Sequence, residues 1–124
     1  MTPKISILVV DDSLLARMML RKAISKLRPD FVIYEAKDGQ DALRQIADKN
    51  IDIALIDYNM PGLSGLDLAR TLKGQFPKAA LALVTANIQD YIMNEAKSLG
   101  LAFIAKPIEE EKIDAFFRTM EKLS

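Results

Sequence analysis

The sequence contains no cysteine and no histidine. The first absence excludes disulfides, thiolate metal sites and cysteine nucleophiles. The second removes the usual general base, the commonest metal ligand and any phosphohistidine formed on this chain. Net charge is missing as well: 17 Lys and Arg balance 17 Asp and Glu, which argues against nucleic-acid binding through bulk charge. No apolar run approaches the roughly 20 residues that span a bilayer. The opening Met1-Thr2-Pro3-Lys4 lacks the form of a secretory signal. A soluble cytoplasmic protein is expected, and any acid–base or metal chemistry falls to oxygen ligands and amines.

What is present is enough apolar material for a core. Of 124 residues, half are hydrophobic and 27% are charged, so one domain over 1–124 is expected. Short β-rich runs occur at Ile5–Val10, Phe31–Ala36, Ile51–Ile56, Ala80–Val84 and Leu101–Ala105. They are apolar on both faces, as in a parallel sheet covered on both sides. Helical spacing lies between them: Leu20, Ala23, Ile24 and Leu27; Leu66, Ala69, Leu72 and Phe76; Ile88, Ile92, Ala96 and Leu99; Ile113, Phe116, Phe117 and Met120. Arg28-Pro29-Asp30 and Phe76-Pro77 stop helices, and Gly100 reads as a C-cap. Ser64 with Asp67, and Asn87 with Asp90, read as N-caps. Strict strand–helix alternation predicts a doubly wound (βα)5 α/β sandwich with a parallel sheet.

Ligands of such sheets bind beyond the carboxyl ends of the strands. Four of the five ends carry a polar residue: Asp11-Asp12, Asp57, Thr85 and Lys106-Pro107. The second, at Ala36-Lys37-Asp38, reads as a plain turn on an edge strand. Each residue has an ordinary alternative. Asp12 or Ser13 can cap a helix, and Asp57 can start the turn Tyr58-Asn59-Met60-Pro61-Gly62. Thr85 can be a common strand end, and Lys106 a snorkelling lysine. Four such coincidences along one edge are less probable than any one. Adjacent strands lie about 4.8 Å apart, and two carboxylates about 4 Å apart repel by roughly 4 kcal/mol at an effective dielectric near 20. A cation must offset that, and an all-oxygen donor set suits Mg²⁺. With an ammonium beside it, the site would receive a negatively charged group such as phosphoryl.

Val9-Val10-Asp11-Asp12-Ser13, Asp57-Tyr58-Asn59-Met60-Pro61 with Gly65, Val84-Thr85-Ala86 and Lys106-Pro107 together resemble the receiver domain of bacterial two-component response regulators. The chain is similar to the stand-alone chemotaxis type over nearly its whole length. The resemblance implies the flavodoxin-like strand order 2-1-3-4-5. It implies Asp57 as phosphoacceptor, and Mg²⁺ held by Asp12, Asp57, the Asn59 carbonyl and, through water, Asp11. Lys106 and Thr85 would contact phosphoryl oxygens, Ala86 would leave phosphate access, and Phe103 would be the switch aromatic. A cis Lys106–Pro107 peptide is implied too.

The expected chemistry is in-line phosphoryl transfer to Asp57. The donor phosphohistidine must sit on another protein, a sensor histidine kinase or a histidine phosphotransfer protein. The modification would move Thr85 and then Phe103, altering how the face of the fourth helix, fifth strand and fifth helix binds a downstream protein. Tyr91, Ala105 and Glu109-Glu110-Glu111-Lys112 would border that face. Leu14, Leu15 and Met18 are candidates for an exposed donor-docking patch. Two other readings stay open: a receiver cut from a longer regulator with its own output domain, and a Mg²⁺-dependent phosphohydrolase with an aspartyl nucleophile. The hydrolase would need a substrate cap, for which 124 residues leave no room.

Overall fold

The computed structural model describes residues 4–123. Met1-Thr2-Pro3, where the absence of a signal was read, and Ser124 lie outside the described residues. Among the described residues, ten main elements alternate. They are β1 (Ser6–Val10), α1 (Leu14–Leu27), β2 (Val32–Ala36), α2 (Gly39–Gln45), β3 (Ile53–Ile56), α3 (Gly65–Gln75), β4 (Ala80–Thr85), α4 (Asp90–Ser98), β5 (Ala102–Ala105) and α5 (Glu110–Leu123). A 3-10 turn at Ile46–Asp48 follows α2. The strands form one parallel sheet in the order β2-β1-β3-β4-β5, the flavodoxin-like topology expected.

Alternate residues of each strand point to opposite layers, which is why both faces of the central strands are apolar. Leu8, Val10, Ala54, Ile56, Leu81 and Leu83 pack beneath α2, α3 and α4. Ile7, Val9, Leu55, Val84 and Ile104 pack beneath α1 and α5, whose Leu20, Ile24, Ile113 and Phe117 are fully buried. The expected stripes of α1, α3 and α5 face these layers.

One helix start settles an open alternative, and two differ from expectation. Ser13, not Asp12, caps α1, its Oγ accepting the Ala16 N–H at 3.1 Å. Asp38 is more than a turn residue: its Oδ1 accepts the Asp41 N–H at 2.8 Å and caps α2. Asn87 does not cap α4, which begins after Gln89 without a side-chain cap. Instead Asn87 Oδ1 accepts the Gln89 N–H at 3.3 Å. Ile88 therefore falls outside the helix and stands exposed, while Ile92 and Ala96 carry the buried stripe. Both expected proline stops hold, since α1 ends at Leu27 and α3 at Gln75. Gly100 has φ +75, a left-handed conformation suited to glycine after a helix.

Candidate functional site

The sheet register brings the polar residues together. Hydrogen bonding runs one residue past the strand ends: Asp11 N–H donates to the Ala36 carbonyl at 3.1 Å, Asp57 N–H to Val10 at 2.9 Å, and Lys106 N–H to Thr85 at 2.9 Å. Asp11 and Asp57 thus emerge side by side from β1 and β3, and Lys106 from β5. One carboxylate oxygen each from Asp11, Asp12 and Asp57 lies within 4.8 Å of the others. Asp11 and Asp57 are buried, whereas Asp12 is exposed.

Asp11 is held at both carboxylate oxygens. Oδ1 accepts the Ser13 N–H at 2.9 Å, and Oδ2 accepts the Lys106 ammonium at 2.9 Å. The same ammonium stands 3.6 Å from Asp57 Oδ1. One lysine therefore serves two buried carboxylates, leaving negative charge in excess. Burial first, and then the charge of Asp11, push the Asp57 carboxyl up to about 6, with Lys106 pulling the other way. Burial also works against the Lys106 ammonium, but the hydrogen bond and charges of Asp11 and Asp57 outweigh it and raise its pKa.

Three crowded carboxylates with neither a nitrogen nor a sulfur ligand suit a hard divalent cation. A pocket whose buried acid resists ionisation gains most from such an ion. The residues therefore fit Mg²⁺.

The remaining expected residues line the same edge. Thr85 is fully buried, and its Oγ1 accepts the Asn87 N–H at 3.1 Å, which leaves the hydroxyl proton free to donate elsewhere. Ala86 and Asn59 are exposed. The Lys106–Pro107 peptide is cis. Phe103, half-buried, packs on the layer beneath α4. The alternation that sends Leu83 to that layer sends Thr85 there too. Thr85 and Phe103 thus share a sheet face on neighbouring strands.

Two supporting groups escaped the sequence reading. Arg17 Nη1 donates to the Asp11 carbonyl at 2.6 Å, and its Nε lies 3.3 Å from Glu35, which Arg21 also holds at 2.6 Å. Their signal was a lone glutamate inside an apolar strand, facing two arginines one helical turn apart. Tyr58, next to Asp57, has its hydroxyl pKa raised first by burial and then by the neighbouring Tyr91 side chain of α4, which places that helix beside the acidic pocket.

Residues 7–118 match the response regulator receiver domain family. The chain belongs to that family. Among curated relatives, it is 34% identical over 115 residues to the cyclic di-GMP phosphodiesterase response regulator RpfG of Xanthomonas campestris, covering 90% of this chain and 30% of that protein. It is 32% identical over 111 residues to the two-component response regulator PhoP of Pseudomonas aeruginosa, covering 88% and 48%. The chain thus spans between about a third and a half of the length of these relatives. Its fold is also that of the chemotaxis protein CheY4 of Vibrio cholerae, with TM-score 0.83 and 22% identity over 98% of this chain and 100% of that one. A receiver domain of an HD domain-containing protein from Pseudomonas fluorescens superposes with TM-score 0.88 at 20% identity, covering 98% and 97%. Receiver domains accept phosphoryl groups from histidine kinases or phosphotransfer proteins and bind Mg²⁺ at an acidic pocket. Among the described residues, no helix is long and apolar enough to cross a membrane.

Proposed function

We propose that this receiver domain acts through Mg²⁺-dependent transfer of a phosphoryl group from a partner's phosphohistidine to Asp57. The observation that carries this reading is the convergence of Asp11, Asp12 and Asp57 within 4.8 Å, with Lys106 bonded to Asp11 and close to Asp57. Asp12, Asp57 and the Asn59 carbonyl would hold the ion, with Asp11 engaged through water. When bound, it supplies neutralisation of the charge gathered on the nucleophile and the phosphoryl oxygens.

The chain's own groups do the rest. A carboxylate oxygen of Asp57 attacks phosphorus while the bond to the donor imidazole breaks, and the leaving nitrogen takes the electron pair. Lys106 pairs with one phosphoryl oxygen. Thr85 donates its free hydroxyl proton to another. Exposed Ala86 leaves the approach open. The resulting acyl phosphate places about −1.5 to −2 charges and three acceptor oxygens where one carboxylate stood.

Thr85 moves toward these acceptors, and Phe103, on the same sheet face, swings into the vacated space. The face formed by α4, β5 and α5 then changes its affinity for a downstream protein by population shift. Tyr91, Ala105 and the Glu109-Glu110-Glu111-Lys112 run border it. The bond of Lys112 Nζ to the Ala105 carbonyl at 2.9 Å ties the first turn of α5 to the end of β5, so the two would move together. The receiver domain would act as a single unit in the cytoplasm. The lengths of the curated relatives favour a second reading, in which this unit regulates an output region of a longer protein.

Intact mass after incubation with a small acyl phosphate and Mg²⁺ tests the assignment. One added phosphoryl group is expected on the wild type and none on Asp57→Asn. Unchanged mass in both would overturn it.

A further inference from the structure

At the opposite edge of the sheet, by the amino ends of the strands, lies an open cavity of about 970 Å³. Ile5, Phe31, Ile53, Ala80 and Ala102 place it at the start of all five strands. Its size is near the upper end for pockets that take small organic ligands, about 1,000 Å³. The walls are mostly apolar, with Pro77, Phe116 and Met120 among them, and three lysines border it: Lys73, Lys78 and Lys97.

The charges at this cavity are not balanced. Every arginine of the chain has a carboxylate partner. Lys73, Lys78 and Lys97 have none within 4.0 Å among the described residues. The two acids lining the cavity are already engaged. Asp52 accepts the Ser6 N–H at 2.8 Å, and Glu121 holds Arg28 through both oxygens at 2.9 Å. Lys73 is half-buried. Its ammonium lies over Gly100, where a Cβ would come within 3.2 Å of Nζ. Helix dipoles favour Lys73 and Lys97 in the last turns of α3 and α4. Dipoles do not require both helices and the loop lysine Lys78 to meet at one apolar cavity.

We infer that this cavity binds a small organic anion with an apolar body, its acidic group held by Lys73, Lys78 and Lys97 and its body on the Phe116 and Met120 wall. The site is separate from the acidic pocket and does not depend on the chemistry assigned to Asp57. A carboxylate, sulfonate or phosphate monoester shares the required chemistry, and the body is aliphatic or aromatic.

The test is a titration of the ¹⁵N-labelled full chain with 1-anilinonaphthalene-8-sulfonate and, separately, with monomeric decanoate, followed by amide shifts. Saturable shifts centred on Gly100 and the end of α3 are expected. The probe that produces them shows whether the body is aromatic or aliphatic. Reversing two of the three charges, as Lys73→Glu with Lys97→Glu, should weaken binding about tenfold or more. Lys22→Glu, on exposed α1 surface, should leave it unchanged. The proposal is overturned if neither probe moves Gly100, if shifts gather on Leu14, Leu15 and Met18, or if the double variant binds as the wild type does. Concentration-dependent shifts at Gly100 without any probe would assign the cavity to a second copy of the chain and also overturn it.

Discussion

Gly65 packs directly against the backbone of Asp57. A Cβ at position 65 would overlap the Asp57 carbonyl oxygen and lie 3.0 Å from Tyr58 Cα. Backbone cannot rotate away as a side chain can, so the loop carrying Asp57 must shift. Gly65→Ala should destabilise the domain by about 2 kcal/mol or more and reduce phosphoryl acceptance as well. Gly74, also in α3, has nothing within 4 Å of where a methyl group would sit, so Gly74→Ala should stabilise by roughly 0.5–1 kcal/mol. Thermal melts of the pair separate steric conflict from helix propensity.

Asp57 predicts a dependence of stability on pH. Its carboxyl is raised from 3.8 to about 6 in the folded state, so between these values the unfolded chain loses a proton that the folded chain keeps. Stability from this group is therefore highest below about pH 4 and declines as pH rises through 6. In Mg²⁺-free buffer, Asp57→Asn should be the more stable protein at pH 7.5, by about 2 kcal/mol. The gap should close as pH falls toward 4. A variant less stable than wild type at pH 7.5 would contradict the electrostatic account.

Magnesium should have the converse effect. At a concentration ten times its dissociation constant, an ion bound only by the folded state adds about 1.4 kcal/mol. Asp12→Asn should remove most of that gain. Because Asp12 is exposed, the same change should leave the melting temperature without magnesium nearly unaltered. Differential scanning calorimetry with and without the ion measures both quantities.

Leu14, Leu15 and Met18 are 62%, 67% and 58% exposed, leaving an apolar cluster at the start of α1 beside the acidic pocket. Leu14→Ser with Met18→Ser should slow phosphorylation by a histidine phosphotransfer protein about tenfold. Phosphorylation by a small acyl phosphate should be unaffected. Equal slowing with both donors would refute docking at this patch.

The fold was legible because five apolar runs alternate with helical stripes, and parallel strands buried on both sides leave few other solutions. Its margins were less so. Ile51 is buried and reads as strand, yet β3 begins at Ile53, since Asp52 turns its carboxylate back to the Ser6 N–H. Helix α2 is seven residues long and runs into a 3-10 turn, too short for a clear period. At the site, polar interruptions of apolar runs exposed Asp11, Asp57, Thr85 and Lys106. The Arg17–Glu35–Arg21 group stayed hidden because its members lie on two elements that become neighbours only after the sheet forms.

The unequal depth of the acidic trio has a kinetic corollary. Asp12 faces solvent while Asp11 and Asp57 lie below it, so an arriving hydrated ion meets an open carboxylate before reaching the sunken ones. Loading and emptying need no gate in the fold to swing aside. If Mg²⁺ binds here as proposed, occupancy of such a vestibule would track the ambient ion level, and readiness to react would be replenished from the surroundings between successive signals.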